Sequence, residues 1–510
     1  MLELRRPSAA SWSLGSFEGM NMRKLVTTLG VGLMLLAAGC PQFSHFCDEG
    51  FCDPVADAGG DGSVADGSLD SSVDANADAD MPPGCDTPNE PLKNPEKCLV
   101  DSFGAFVSPT GDDANPGTKA KPFKTIGKAL GAGKPRIVAC EGEYVGSLDV
   151  TTGVSLYGGV SCDFAKAGGR AKITASKPEY GIKIAKVSAA VLFSDVEVLG
   201  IAGVAPSESS IGVFVSESTN VQFVRSKIEA ADGADAPPKK DGAFTLAASA
   251  PKGGDASGNT GGASATTGTC PGGGASTSGR GGDSGFLGED ASPRPPGGAK
   301  APGGAPGDCV AGTGLPGSAG NPGVNRPGAS VPASLDASGL LGNKGADGTP
   351  GTPGGGGGGG YGTMGAGGAG GAGGCGGQGG FGGGAGGSSI ALVSFASAVT
   401  LQAVELVAKS AKTGGAGGAG QVGQAGGFSG SRSGNACNGG SGAKGGDGGG
   451  GGGGAGGIAA GIAWAGGSEP KRDAQTKIAR PAGNGPAGGE GGAVTNKGVD
   501  GVHAEVFEVK

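Results

Sequence analysis

The chain has 510 residues, 119 of them Gly, and a formal net charge of −8. Gly is close to one residue in four, against ~7% in ordinary proteins, so long stretches carry no side chains from which to build a core. Aromatic residues make up 5% of the chain, and the 2 His, 2 Trp and 4 Tyr argue against multi-histidine centres and against rows of aromatic platforms for sugar rings.

An export signal opens at Met22. Arg23 and Lys24 form its basic region, Leu25 to Leu36 its apolar region, and Leu36-Ala37-Ala38-Gly39-Cys40 its cleavage site. The apolar run is shorter than the ~20 residues that span a bilayer, so it reads as a signal peptide and not an anchor helix. Small residues ahead of a Cys resemble the bacterial lipobox, with Ala37 where Leu is commonest. That resemblance implies lipidation of Cys40, removal of residues 1–39 and a lipid attachment to the membrane. The alternative is a plain secretory signal with a chance Cys. Residues 1–21 precede a complete signal, so translation is expected to start at Met22.

The following region, 40–104, reads as a lipidated N-terminus and stalk. Residues 41–92 hold 12 acids and no Lys or Arg, whereas 93–510 hold 34 bases against 32 acids. Asp53, Asp57, Asp61, Asp66, Asp70, Asp74 and Asp78 recur among Ala, Gly and Ser, a composition that repels itself and stays extended. A calcium loop fails because alternating carboxylates and a closing Glu are missing.

Ten Cys remain after Cys40, an even number for an oxidising compartment. Proximity pairs Cys47 with Cys52, Cys85 with Cys98, and Cys140 with Cys162; Cys270, Cys309, Cys375 and Cys437 pair among themselves. No Cys-x-x-Cys occurs, which disfavours zinc and thioredoxin-like chemistry.

Residues 105–130 read AFVSPTGDDANPGTKAKPFKTIGKAL: a short strand, a polar turn, then a helix near Thr125–Leu130. The segments Gly111 to Thr118 and Lys121 to Leu130 resemble the opening of right-handed parallel β-helix proteins of the pectin-lyase-like type, including bacterial surface families of unknown function. Periodicity agrees. Val191, Phe193, Val196 and Val198 recur as Val221, Phe223, Ser226 and Ile228, and again as Val399, Leu401, Val404 and Leu406. Two alternating pairs separated by a step of three describe strand, bend, strand, and repetition of the unit describes a solenoid. Gly181–Ile184, Gly212–Val215 and Ile390–Val393 read as strands ahead of each copy, and Arg136–Ala139 and Val154–Tyr157 as strands of the first coils. A bridge from Cys140 to Cys162 would staple neighbouring coils. The fold class is therefore an all-β parallel β-helix, with an antiparallel sandwich as the rival.

First coils are expected in 105–231, a further coil in 389–410 and final strands in 458–510. Glycine-rich insertions occupy 232–388 and 411–457, the first placed between two consecutive coils. Gly414 to Gly426 and Gly445 to Gly457 keep a period of three, and Gly367 to Gly383 runs Gly-Gly-x. Three residues per turn is the period of a polyproline-II-type helix, which would leave bare glycine faces for neighbouring backbones. A packed polyglycine layer and flexible loops both fit this pattern. The tracts resemble the glycine-rich PGRS repeats of bacterial surface proteins in composition. Collagen does not fit, because triplets such as those from Gly314 to Gly323 break within a few repeats.

No nucleotide-binding loop follows a strand and opens a helix, and His45 and His503 lack partners at metal spacing, so neither metal nor cofactor is expected. Of the galacturonan-hydrolase signatures, Asp112-Asp113 alone appears, in the cap turn. Asp195, Glu197, Arg225 and Glu229 lie on coils, as calcium ligands and a catalytic Arg would in pectate lyases, but their alternation fits solvent-facing strand positions. Trp464 reads as a core or surface residue of a late coil. The reading is a cell-envelope lipoprotein with a structural or adhesive role and no catalytic residues, contacting surface polysaccharide or another envelope protein. A carbohydrate-binding or polysaccharide-degrading β-helix is the alternative. The near-neutral head disfavours nucleic acid, and Pro41 points to the outer membrane.

Overall fold

The computed structural model describes residues 81–291 and 302–510, all within the unit Val73–Lys510. The signal, Cys40, Cys47, Cys52, His45 and the Asp repeats at positions 53–78 lie outside the described residues.

Three parallel sheets wind around a shared interior as a right-handed β-helix. Three consecutive coils show the repeat. Val191–Ser194, Val196–Leu199 and Ser210–Ser216 form one. Val221–Val224, Lys227–Glu229 and Ser389–Phe395 form the next, and Val399–Gln402, Glu405–Val407 and Ile458–Ala465 the third. The register follows the sequence repeat: Val191 pairs with Val221 and Val221 with Val399. Like residues therefore stack across coils, and Phe193 lies on Phe223 with ring centroids 5.3 Å apart and planes 14° apart. Both are fully buried, each contributing roughly 2–3 kcal/mol of apolar burial. The parallel ladders exclude the antiparallel sandwich.

The step of three in the repeat is a bend in left-handed backbone, occupied by Asp195 (φ 55°), Arg225 (φ 48°) and Ala403 (φ 53°). Asp195 and Arg225 are thus corner residues and not the strand residues that their alternation suggested. At the N-terminal end, Ile126–Gly131 forms the expected helix. Thr125 caps it by accepting from Lys128 N–H, and Asp113 accepts from the backbone N–H of Lys124 and Thr125 and from the Thr125 hydroxyl. Burial tends to raise the Asp113 pKa, but these hydrogen bonds hold it below its ordinary value. Asp112-Asp113 is a structural turn.

Two of the three outer sheet faces are covered. Cys98, Leu99, Phe103 and Phe106 of the N-terminal segment pack over Val138, Tyr157 and Leu192 of the first sheet. The hairpin Ala333–Asp336/Gly339–Gly342 packs on Ile211, Phe214, Ile390 and Val393 of the third. Ser210–Ser216, Ser389–Phe395 and most of Ile458–Ala465 in that sheet are buried on both faces, so they read as continuous runs without alternation. Trp464 sits half-buried against the main core.

The glycine-rich insertions share one corner. Residues 230–388, 408–457 and 480–501 each leave the second sheet and return to the third within a coil. The first does not separate two complete coils, and 480–501 is a further insertion inside the segment expected to be final strands. Because coils stack, the three insertions emerge side by side, and glycine-rich segments hydrogen-bond at every third residue both within the first insertion and between insertions. Gly345, Gly348, Gly351, Gly354 and Gly357 donate to the carbonyls of Gly383, Gly380, Gly377, Gly374 and Gly371, at 2.8–2.9 Å. On the other side, Gly371, Gly374, Gly377, Gly380 and Gly383 donate to Gly440, Ala443, Gly446, Gly449 and Gly452 at 2.9–3.0 Å. Residues 415–430 and 489–501 extend the array. This is a polyglycine-II-type bundle and not a set of loose loops. A Cβ at Gly373 or Gly376 would fall on the carbonyl oxygen of Gly354 or Gly351, which is why the inner helices carry glycine.

Among the described residues four disulfides are present: Cys85–Cys98, Cys140–Cys162, Cys270–Cys375 and Cys309–Cys437. The last two tie together distant parts of the bundle.

Candidate functional site

The second sheet is the open face, and its outward residues form a ladder of alternating charge. Glu143 pairs in register with Lys172, Lys172 with Glu197, Glu197 with Lys227, Lys227 with Glu405, and Glu405 with Lys477. Adjacent strands lie ~4.8 Å apart, close enough for each side chain to reach the next. Lys172 Nζ lies 3.5 Å from Glu143, and Lys227 Nζ lies 3.1 Å from Glu197 and 2.9 Å from Glu229. Lys409 adds a second base to Glu229 at 3.0 Å. Burial opposes ionisation of Glu229, yet Lys227 and Lys409 hold its pKa below the ordinary carboxylate value. Glu229 raises the pKa of Lys227 in turn. Glu197 and Glu229 therefore stand with lysines and not together as paired carboxylates.

Asp195 and Arg225, at consecutive bends, meet in a bidentate pair: Arg225 Nε donates to Asp195 Oδ1 at 2.9 Å and Nη2 to Oδ2 at 2.6 Å. Ser194 Oγ accepts from Arg225 Nη2 at 2.8 Å and donates to Asp195 Oδ2 at 2.6 Å. The Asp195 carboxylate raises the pKa of Arg225 further. Arg225 Nη1 lies 3.7 Å from Glu90 in the N-terminal segment, and Glu90 is itself ion-paired with Lys93. Between that segment and the bends runs a cleft of about 300 Å³, with Pro91, Leu92 and Tyr157 on its walls.

The residues singled out from sequence do not converge on one centre. Asp195 and Arg225 come together at the cleft, Glu197 and Glu229 lie on the charge ladder, and Asp113 lies in the cap turn. His503 Nδ1 is buried in the last strand without a hydrogen-bond partner. Among the described residues no group of three or more His, Cys, Asp or Glu is placed to hold a metal ion, and no helix is long and apolar enough to cross a membrane.

Sequence reasoning missed a motif in the bundle. Lys252-Gly-Gly-Asp255, Arg280-Gly-Gly-Asp283, Lys444-Gly-Gly-Asp447 and Lys497-Gly-Val-Asp500 share a basic-Gly-x-Asp pattern. In each the base and acid pair at 2.6–3.1 Å. The same Asp accepts a backbone N–H from a neighbouring segment: Ser431, Gly261, Gly423 and Gly488 respectively. A three-residue turn places positions i and i+3 on one face. The pattern recurs a fifth time at Lys344-Gly-Ala-Asp347, whose Asp347 accepts the backbone N–H of Gly382, and this recurrence was the available signal.

Residues 109–205 match the model of a family described as a protein of unknown function (DUF1565). No curated protein matches the chain. Among solved structures, one titled "Rhamnogalacturonan lyase" is similar at 18% identity and a TM-score of 0.21, over 24% of this chain. The match spans 35% of that chain's length.

Proposed function

We propose that the protein is an exported lipoprotein of the cell envelope whose head has a structural or adhesive role and no catalytic one. Lipid on Cys40 attaches it, an acidic stalk spaces it from the membrane, and the β-helix with its glycine bundle is displayed, most favourably from the outer membrane. The observation that carries this reading is how the open face uses its charges. Glu197 and Glu229 share Lys227, an arrangement that lowers the Glu229 pKa and suits rigidity, whereas acid–base chemistry needs a group poised near neutral pH. Two long-range disulfides and a backbone-bonded bundle support a head built to persist outside the cytoplasm.

The test is metabolic labelling with a palmitate analogue, followed by protease shaving of intact cells and mass spectrometry. Label on the wild type and none on Cys40→Ala, with peptides from 93–510 released from whole cells, is the expected result. A head that resists shaving until the outer membrane is opened removes adhesion and leaves a periplasmic scaffold. Carbohydrate binding is the second reading, favoured by the cleft beside Arg225.

A further inference from the structure

We infer that the cleft between the N-terminal segment and the Asp195–Arg225 bends binds one neutral, hydroxyl-rich ring, the end or branch unit of a surface polysaccharide. This rests on the adhesive reading above and names the chemistry that the head would contact.

Charge decides the class of ligand. Glu90, Lys93, Asp195 and Arg225 border the cleft, and their charges sum to zero. Each is already ion-paired, Glu90 with Lys93 and Asp195 with Arg225. A charged ligand meets a like charge beside either partner: an anion at Arg225 Nη1 stands against Glu90, 3.7 Å away, and a cation at Glu90 stands against Lys93, so each approach sets repulsion against attraction at close range. A neutral polyol has no such conflict. An ionised carboxylate offers about four acceptor positions and a guanidinium five N–H donors, so paired groups keep unused capacity. Arg225 shows this directly. Nε and Nη2 hold Asp195 and Ser194, while Nη1 faces Glu90 at 3.7 Å, beyond hydrogen-bond length. Ring hydroxyls can accept from Nη1 and donate to Glu90 and Asp195 without disturbing either pair. Pro91 and Leu92 supply an apolar wall for the C–H face of a ring.

Size limits the ligand. Small-molecule pockets run from ~300 to 1,000 Å³, and this cleft of about 300 Å³ takes a single ring. The support is rigid: Arg170 Nε donates to the Arg225 carbonyl at 3.1 Å, and Cys85–Cys98 closes the segment that carries Glu90 to Lys93.

Saturation-transfer NMR on the full-length protein in detergent micelles tests this, with methyl glycosides of neutral hexoses as probes and glucuronate as the charged comparison. Saturable binding of a neutral glycoside is expected near ~1 mM, a weak affinity fitting one ring. Arg225→Gln removes the free N–H groups, and Leu92→Trp fills the cleft while leaving both ion pairs in place. Each is expected to weaken binding about tenfold or more, and an unchanged melting profile for Leu92→Trp separates blockage from misfolding. Absence of binding by every neutral glycoside, binding that survives both substitutions, or preferential binding of glucuronate would each overturn the inference. Lipid labelling and shaving report display independently, so a displayed head that binds no glycoside sinks the cleft and spares the display reading.

Discussion

The carboxylate of Asp447 joins Lys444, three residues back in its own segment, to the backbone N–H of Gly423 in the neighbouring one, at 2.6 and 2.8 Å. One side chain thus neutralises a charge and satisfies a donor that a glycine helix cannot satisfy internally. Lys444 and then the Gly423 N–H hold Asp447 below its ordinary pKa, and Asp255, Asp283 and Asp500 are lowered by equivalent partners. A carboxylate lowered on folding contributes stability above its unfolded pKa of ~3.9 and loses it as pH falls through the folded value. The bundle should therefore loosen below about pH 4. Amide exchange followed from pH 6 to pH 3, corrected for intrinsic rates, should show 415–430 and 440–452 losing protection before the β-helix strands. Asp447→Ala should bring that loss to higher pH, at a cost of about 0.5–1 kcal/mol for one partly exposed hydrogen bond.

Substituting glycine should have opposite effects at two positions. A Cβ at Gly373 would collide with the Gly354 carbonyl, and buried backbone has no means of yielding as a flexible side chain would. Gly373→Ala should cost about 2 kcal/mol or more and lower the temperature at which the bundle melts. Gly127, in the helix that caps the solenoid, has no neighbouring atom within 4 Å of the place a Cβ would take. Gly127→Ala should raise stability by roughly 0.5–1 kcal/mol. Differential scanning calorimetry on both variants checks the pair, and equal effects would contradict the packed bundle.

Reduction should act on the bundle before the solenoid. Cys270–Cys375 and Cys309–Cys437 span sequence separations of 105 and 128 residues, and closing loops of ~100 residues removes up to about 4–5 kcal/mol of unfolded-state entropy in the chain-entropy description. Cys270→Ala with Cys375→Ala should cost about 2–5 kcal/mol. Limited proteolysis should then cut within 232–388 while 136–229 stays intact. Cleavage that begins in the coils would show that the bundle does not depend on these bridges.

How far the fold was legible in the sequence follows from side-chain periodicity. Val191, Phe193, Val196 and Val198 alternate because their strands bury one face, so the first and second sheets could be read together with their stacking. Ser210–Ser216 and Ser389–Phe395 are covered on both sides. They lack alternation, which concealed where each coil closes and hence that the insertions sit inside coils. Asp195 and Arg225 looked like outward strand residues because polarity alone does not reveal a left-handed bend. In the bundle, attention to glycine showed the three-residue period. The partners at the third position, Asp447 with Lys444 and Asp255 with Lys252, were passed over because isolated charges in a glycine tract suggest solvation and not bonding to a neighbouring backbone.

Lys227 gives the sharpest test of the charge ladder. It stands between Glu197 and Glu229 with all three side chains 22–26% exposed, so the pairs are less screened than surface ones. Lys227→Met should remove the base that Glu197 and Glu229 share and leave Glu229 with Lys409 alone, at a cost of about 1–3 kcal/mol. Adding Glu229→Gln should recover part of that loss, and a double-mutant cycle by denaturant unfolding measures the coupling. Proton linkage gives the same pair a pH signature. Glu229 is lowered on folding, so its contribution holds above the unfolded pKa of ~4.3 and disappears as pH falls through the folded value. Lys227 is raised, so its contribution holds below ~10.4 and disappears as pH rises through its folded value. The wild type should thus be more stable than Lys227→Met across neutral pH, with the difference shrinking at both extremes. A difference independent of pH would mean that Lys227 acts through the packing of its methylene chain and not through its charge.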